Sequence, residues 1–235
     1  VKLKKTKRDF LALLETGKTL QEVQELEERY KNLPTPKTQI TVQEWRDVVI
    51  KNFPNNLLGA EVAASVIAQH MIQDIQKPFG LVLVDPPSSG KTIILNFFSE
   101  MEDLVYSTDA FTPAAFVSHA ANRREEDLEK NDLIPRMKNK MLIVRDMAPV
   151  FAENPEVLTK NIGILTRVFD GEGYVSDSGS HGSRGYTGKH MFTFLGASTP
   201  IPRRVWEVMG SLGSRLMFLN LNTGDVSEDE LAEML

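Results

Sequence analysis

The sequence predicts a doubly wound α/β fold, in which a parallel sheet of about five strands is covered by helices on both faces. From Phe79 onward, short apolar runs alternate with segments of helical periodicity, and fully apolar strands are typical of parallel sheets that are buried on both sides. The chain has 235 residues, which is enough for one such domain with a sizeable core and an N-terminal extension. The runs interpreted as strands are GLVLV, LVYS, MLIVR, MFTFLGAS and LMFLNL.

The predicted helices lie before and between these strands. Thr41 with Glu44 forms the pattern of a capping box and predicts that a helix begins there. Further helices are predicted from Lys91 and at about 58–75, 114–120, 155–169 and 202–209.

The N-terminal region is predicted to be separate from the α/β domain. Residues 3–31 carry two stretches of helical periodicity, and two prolines in NLPTPKT then break the pattern. We therefore divide the chain into a helical extension with its linker, a core, and the start of a C-terminal lid or tail, at 1–36, 37–224 and 225–235. The last segment has the pattern of a helix that is just beginning, so we expect a fragment of a longer protein.

The composition excludes several classes of protein. Hydrophobic residues make up 41% and charged residues 25%, which excludes collagen-like and wholly disordered chains. There is no cysteine, which removes disulfides, thiolate metal sites and cysteine nucleophiles. No run reaches the roughly 18 to 20 apolar residues of a membrane span, and the first residues lack the apolar region of a signal peptide. We therefore expect a cytoplasmic protein with no membrane partner.

The stretch LVLVDPPSSGKT, residues 81–92, has the features of a phosphate-binding loop. A strand precedes it and a helix follows it, and Gly90, Lys91 and Thr92 match the end of the motif G-x-x-x-x-G-K-[ST]. In such a loop the backbone N–H groups surround the phosphates, the lysine neutralises phosphate oxygens and the threonine hydroxyl can bind Mg²⁺. We predict that a nucleoside triphosphate binds to Asp85, Pro86, Pro87, Ser88, Ser89, Gly90, Lys91 and Thr92.

Two residues of this loop depart from the pattern. Asp85 replaces the first glycine and brings a carboxylate near the expected phosphates, unless it points away or caps a backbone N–H. Ser88 stands where many such loops have another glycine. A strand-turn-helix corner without a ligand is the open alternative.

The segment KMLIVRDM supplies a neighbouring strand with one acid. Hydrolysis in P-loop domains needs an acid at a strand end to hold Mg²⁺ and its water shell, and usually a second acid to polarise the attacking water. If Met141 to Val144 set the register, Arg145 takes the metal-holding position and Asp146 the water-polarising position; a shift of one makes Asp146 the metal ligand. We predict Asp146 as the catalytic acid and, with Thr92, as a metal ligand. For Asp146 alone, a helix or turn cap is the alternative.

Polar residues downstream add to the candidate site. Ser198 or Thr199, in LGASTP, is expected to project between the loop strand and the acid strand, where it can orient water; a turn cap is the alternative. Arg203, Arg204 and Arg215 lie near a domain edge, where an arginine can enter a neighbour's site. For each arginine by itself, a surface or salt-bridged side chain is the favoured interpretation.

Residues 170–190 form a glycine-rich segment that fits either a flexible loop or a protruding β-hairpin. Arg184 and Lys189, with Tyr186 and His190, form a basic and aromatic set that can bind a nucleic-acid backbone or make a subunit contact. The net charge of −5 does not decide the partner, because a groove can be locally basic in an acidic protein.

The order of these motifs resembles the core of AAA+ ATPases, over about residues 45 to 221. The similarity is closest to the branch with a hairpin before sensor 1, which includes virus-type and replicative helicases. It implies that Lys91 and Thr92 bind the phosphates and Mg²⁺ of ATP, that Asp146 is the Walker B acid and that Ser198 or Thr199 is sensor 1. It also implies a ring-like homo-oligomer in which Arg215, or else Arg203 or Arg204, completes a neighbour's site, and a lid after the last strand.

Two functions fit this resemblance. The first is an oligomeric ATPase that couples ATP hydrolysis to work on nucleic acid, as in a helicase or translocase. The second is a nucleotide-gated assembly or scaffold module with little or no hydrolysis, which Asp85 and the missing acid at Arg145 favour.

Overall fold

The computed structural model describes residues 19–31, 40–72, 75, 77–112, 115–118, 125–178, 182–210 and 215–221. The chain divides into two compact units, residues 1–48 and 49–235. The predicted linker at 32–36, the first predicted helix and the predicted lid lie outside the described residues.

Two N-terminal helices, α1 (Leu20–Lys31) and α2 (Val42–Asn52), each begin with a capping box of a threonine and a glutamate. The Thr41 N–H donates to Glu44 Oε2 at 2.7 Å and the Glu44 N–H donates to Thr41 Oγ1 at 3.1 Å, which confirms the predicted capping box. Thr19 and Glu22 make the equivalent pair before α1. The hydrogen bonds from the Thr41 backbone and hydroxyl lower the pKa of Glu44.

The second unit is built on a five-stranded parallel sheet, as predicted. Its strands are β1 (Gly80–Val84), β2 (Val105–Thr108), β3 (Met141–Val144), β6 (Thr193–Ser198) and β7 (Leu216–Asn220). They lie in the order β2-β3-β6-β1-β7, and each neighbouring pair is parallel. Strand β6 therefore lies between β1 and β3.

Both faces of the sheet are buried, which explains why the strands are apolar throughout. Alternate residues of β1 enter different clusters: Val82 packs in one, and Leu81 and Leu83 pack in the other. Strand β3 divides in the same way, with Leu142 on one side and Ile143 on the other.

The described helices of this unit agree in part with the predicted ones. They are α3 (Leu57–Ala68), α4 (Lys91–Asn96), α5 (Glu125–Asn131), α6 (Leu133–Met137), α7 (Ala148–Phe151), α8 (Pro155–Phe169) and α9 (Arg203–Met209), with 3₁₀ turns at Pro54–Asn56 and Gln69–Met71. Helix α8 has the predicted bounds and α9 begins one residue later. Residues 115–118, the described part of the helix predicted at 114–120, are not α-helical. Helices α5 to α7 were not predicted, because such short segments show no clear periodicity.

No helix among the described residues has the length and apolar character needed to cross a membrane.

The glycine-rich segment is a β-hairpin, which decides between the two alternatives. Strands β4 (Gly173–Ser178) and β5 (Gly182–Thr187) are antiparallel, with Tyr174 opposite Tyr186. Gly173 has φ +84°, and a Cβ there would lie 2.2 Å from the Tyr186 carbonyl oxygen, so the strand start requires glycine. Residues 179–181 at the tip lie outside the described residues.

Candidate functional site

A cavity of about 410 Å³ lies at the C-terminal ends of β1, β3 and β6. Three segments line it: residues 87–93 after β1, Arg145 and Asp146 after β3, and residues 197–199 at the end of β6. These segments meet because β6 lies between β1 and β3 and all three strands run in the same direction. Ligands of doubly wound sheets bind at this edge.

The loop between β1 and α4 has a fixed and unusual backbone. Ser88 and Gly90 have φ values of +68° and +94°, both in the left-handed region. Asn56 is buried, and its Nδ2 donates to the Gly90 carbonyl at 3.1 Å. A Cβ at Gly90 would lie 2.1 Å from this Nδ2 atom. Asn56 therefore holds the loop, a role that its polar sequence context does not signal.

We expect Gly90 and Ser88 to respond in opposite ways to substitution. Gly90→Ala combines the collision with Asn56 and a left-handed Cβ, and should lower the free energy of unfolding by at least about 2 kcal/mol. Ser88→Gly removes only left-handed strain, and should raise it by up to about 1 kcal/mol. Urea denaturation of both variants measures the two effects. Destabilisation by Ser88→Gly would contradict the described loop conformation.

Lys91 is folded against the inner side of the loop. Its Nζ donates to the Asp85 carbonyl at 2.5 Å, the Pro86 carbonyl at 2.7 Å and Ser89 Oγ at 3.1 Å. Burial lowers the pKa of Lys91, while the negative charges of Asp85 and Asp146 act in the opposite direction. The ammonium group thus contacts the loop and also interacts electrostatically with the acid that follows β3.

Asp85 and Pro86 do not line the cavity, whereas Pro87 to Thr92 do. The Asp85 side chain is buried, with 2% of the residue exposed, and its backbone N–H donates to the Ser198 carbonyl at 3.2 Å. Among the described residues, Asp85 Oδ1 has no hydrogen-bond partner. Its carboxylate therefore acts on the site through the electrostatic interaction with Lys91 and not as part of the cavity wall.

The end of β3 follows the first of the two registers considered. The strand ends at Val144, so Arg145 is the first residue after it and Asp146 the second. Asp146 is exposed, and its Oδ1 accepts a hydrogen bond from the Ala148 N–H at 2.9 Å. The carboxylate thus caps the start of α7, as the alternative interpretation expected. A carboxylate can accept at both oxygens, so this cap leaves Oδ2 for a water molecule.

Arg145 brings a second cation to the cavity wall. Its Nη1 donates to Asn96 Oδ1 at 3.1 Å, and its Nε lies 3.6 Å from Asp109 Oδ1. Asn96 ends the helix that begins with Lys91, so the contact connects the loop helix to the end of β3. The sequence did not predict these partners because both are surface residues with no motif.

Ser198 and Thr199 lie at the end of the intervening strand and both line the cavity. Ser198 is 2% exposed, whereas Thr199 is exposed. They are therefore near both the loop and the acid, which is the position that a residue orienting water requires.

Three predicted arginines lie away from the cavity wall. Arg215 donates from Nε and Nη2 to Asp170 Oδ1 at 2.9 and 2.8 Å. Arg203 is an exposed residue 3.9 Å from Glu207, and Arg204 is exposed as well. Within one chain Arg215 is thus salt-bridged, as the structural alternative expected. Its action on a neighbouring subunit stays a prediction, which would require it to leave Asp170.

The structure pairs Arg184 with a buried aspartate and leaves little of the arginine side chain exposed. Its Nη2 lies 2.8 Å from Asp132 Oδ2, and 15% of its side chain is exposed, against 0% for Asp132. Its Nη1 also donates to the Ser118 carbonyl. This differs from the expected phosphate-facing arginine, because a guanidinium with these partners is not presented to a polyanion. Lys189 is exposed, and its predicted contact with nucleic acid stays a prediction.

Asp132 holds the hairpin against the core. Besides Arg184, it accepts from the Tyr186 hydroxyl at 2.7 Å and from the Ser118 N–H at 2.9 Å. Burial raises the pKa of Tyr186, and Asp132 raises it further. The sequence did not identify Asp132, because an aspartate before a helix has the appearance of an ordinary cap.

Comparison with known proteins adds no family. Neither the models of protein families nor the curated proteins give a match to this chain.

Proposed function

We propose that this chain is a nucleoside triphosphate-binding domain of the AAA+ type, with ATP as its nucleotide. The observation that carries the proposal is the cavity at the ends of β1, β3 and β6, where the lysine of the loop meets Arg145, Asp146 and Ser198. These residues are far apart in the sequence, and the parallel order of the three strands brings them to one edge of the sheet.

The cavity has the size and chemistry for a phosphate chain. Its volume of about 410 Å³ lies within the usual range for small-molecule sites. Its lining includes two cations, Lys91 and Arg145, against the single carboxylate of Asp146. Backbone N–H groups of a loop with left-handed residues form a concave surface that favours anions. Phosphate oxygens entering the loop would replace the carbonyls that Lys91 now contacts.

Hydrolysis of the bound nucleotide would depend on Asp146. It is the only carboxylate on the described wall of the cavity, and Ser198 and Thr199 can help it to orient a water molecule. A site with one acid in place of two is expected to turn over slowly.

Asp146→Asn should lower ATP hydrolysis by about 100-fold or more, the scale of a lost general base. Asparagine still offers an oxygen to the Ala148 N–H, so the cap of α7 should persist and ATP binding should change little. Steady-state phosphate release by wild type, Asp146→Asn and Lys91→Ala, with and without single-stranded DNA, measures this. Release by wild type no faster than by Lys91→Ala would leave binding without hydrolysis, which is the nucleotide-gated assembly module.

That second function is favoured by one specific observation. Arg145 occupies the position directly after β3 where hydrolysing P-loop domains place an acid. An assembly module needs a nucleotide to be bound and retained, and a cation at this position serves retention better than turnover.

We also propose that the chain forms a ring-like oligomer that acts on nucleic acid. In this proposal, Lys189 makes the contact between the hairpin and the nucleic-acid backbone. This lysine is exposed just after β5, whereas Arg184 is largely covered and is paired with Asp132. Lys189→Ala should weaken binding of single-stranded DNA and reduce the slope of log K against log salt by about 0.7 per lost phosphate contact. Fluorescence titrations at several salt concentrations test this, with Lys160→Ala as the matched control, because Lys160 is an exposed lysine on α8. Equal slopes for the two variants would remove the hairpin from the proposal.

A further inference from the structure

The residues at the cavity do not form a good magnesium site. P-loop sites hold Mg²⁺ between the loop hydroxyl and an acid after the neighbouring strand. Thr92 supplies the hydroxyl, but Arg145 occupies the first position after β3, and Asp146, the second, has Oδ1 engaged by the Ala148 N–H and only Oδ2 left. The predicted metal ligands Thr92 and Asp146 therefore share the cavity wall with the positively charged guanidinium of Arg145.

Arg145 is positioned in advance of any ligand. Asn96 accepts from Nη1, and Asp109 lies beside Nε. Among the described residues, the structure gives Nη2 no hydrogen bond, so its two N–H groups remain available to an anion. The Asp109 side chain is 91% exposed, against 37% for Arg145, and an ion pair this exposed is strongly screened by water. Asp109 thus orients the guanidinium without cancelling its charge toward the cavity.

A guanidinium in this place is suited to the phosphate chain. Its planar set of N–H groups matches two phosphate oxygens, and charge-assisted hydrogen bonds of this kind are among the strongest in proteins. Lys91 approaches from the loop and Arg145 from the end of β3, so a bound phosphate chain would meet positive charge on two sides.

We propose that Arg145 supplies the positive charge that a divalent cation supplies in other P-loop sites, so that this cavity binds ATP with little dependence on Mg²⁺. This inference rests on the proposed function, because it concerns the same nucleotide at the same cavity. The inference concerns ATP binding and not ATP hydrolysis. It states that ATP binding does not require Mg²⁺.

The test is calorimetric titration of ATP into the wild-type chain in Mg²⁺ and in EDTA. The two dissociation constants should agree within about three-fold. Arg145→Gln should weaken binding in EDTA by about 10- to 100-fold, the scale of lost charge-assisted hydrogen bonds. Lys160→Gln, which removes an exposed cation outside the cavity, is the matched control and should leave both constants unchanged. Thermal melting of each variant checks that it is folded.

Three results would overturn the inference, in distinguishable ways. Wild-type binding that weakens by more than about 30-fold in EDTA would show that Mg²⁺ is required, and would leave the proposed function standing. Equal binding in EDTA by wild type and Arg145→Gln would remove Arg145 from the explanation. No ATP binding in either buffer would end the inference and the proposed function together. The wild-type comparison decides the first and third results even if the variant fails to fold.

Discussion

Asp132→Ala is expected to lower the free energy of unfolding by about 3 to 5 kcal/mol, the usual cost of breaking a buried ion pair from one side. The Asp132 side chain is 0% exposed and is the common acceptor for Arg184, the Tyr186 hydroxyl and the Ser118 N–H. Its removal leaves a guanidinium, a hydroxyl and an amide without their acceptor. For a chain of this length, the melting temperature should fall by roughly 6 to 20 °C.

Urea denaturation followed by circular dichroism measures the change. Asp127→Ala is the matched control, because Asp127 is an exposed aspartate on α5 whose backbone carbonyl, not its carboxylate, accepts from Asn131. The control should change the free energy of unfolding by no more than about 0.5 kcal/mol. If Asp132→Ala behaved like the control, the hairpin would not be held as described, and Arg184 could again be considered for nucleic acid.

Lys91→Ala is expected to weaken ATP binding by about 100-fold, because it removes the cation at the centre of the loop and its charge-assisted hydrogen bonds to phosphate. The same change removes the contacts with the Asp85 and Pro86 carbonyls. It also leaves the buried Asp85 carboxylate without its neighbouring ammonium, so some loss of stability is expected as well.

The two effects can be separated with a second substitution. Lys91→Ala combined with Asp85→Asn removes both charges, and should recover stability relative to Lys91→Ala alone without recovering ATP binding. Lys160→Ala, an exposed lysine outside the cavity, is the control for charge loss. Calorimetric titration and thermal melting give the two readouts. Recovery of ATP binding in the double variant would show that Lys91 acts on the fold and not on the nucleotide.

The parts of the fold with a strong local pattern could be predicted from the sequence. Local sequence patterns are sufficient to predict these elements. They are the apolar runs of β1, β3 and β7 and the long periodic segment of α8. The loop up to Thr92 was found because its motif is contiguous. Asp146 and Ser198 could be placed near the loop because parallel strands bring their C-terminal ends to one edge.

The missed parts depend on contacts between distant residues. Asn56 meets the Gly90 carbonyl across 34 positions, and Tyr186 meets Asp132 across 54. No local pattern encodes such pairs, so Arg184 was expected on the surface although its partner lies within the core. The sequence leaves open whether the Asp85 side chain faces the phosphates or points away; it is buried and outside the cavity lining, which agrees with the second alternative.

Nucleotide binding at this cavity is tested most directly by a titration of ATP followed by backbone amide resonances of the ¹⁵N-labelled chain. We expect the largest shift changes at residues 88–93, at Arg145 and Asp146, and at residues 197–199, which line the cavity and carry a backbone N–H. The side-chain amide of Asn56 should shift with them, because it bonds the Gly90 carbonyl. Shifts concentrated elsewhere in the chain, or none at saturating ATP, would contradict nucleotide binding at this site.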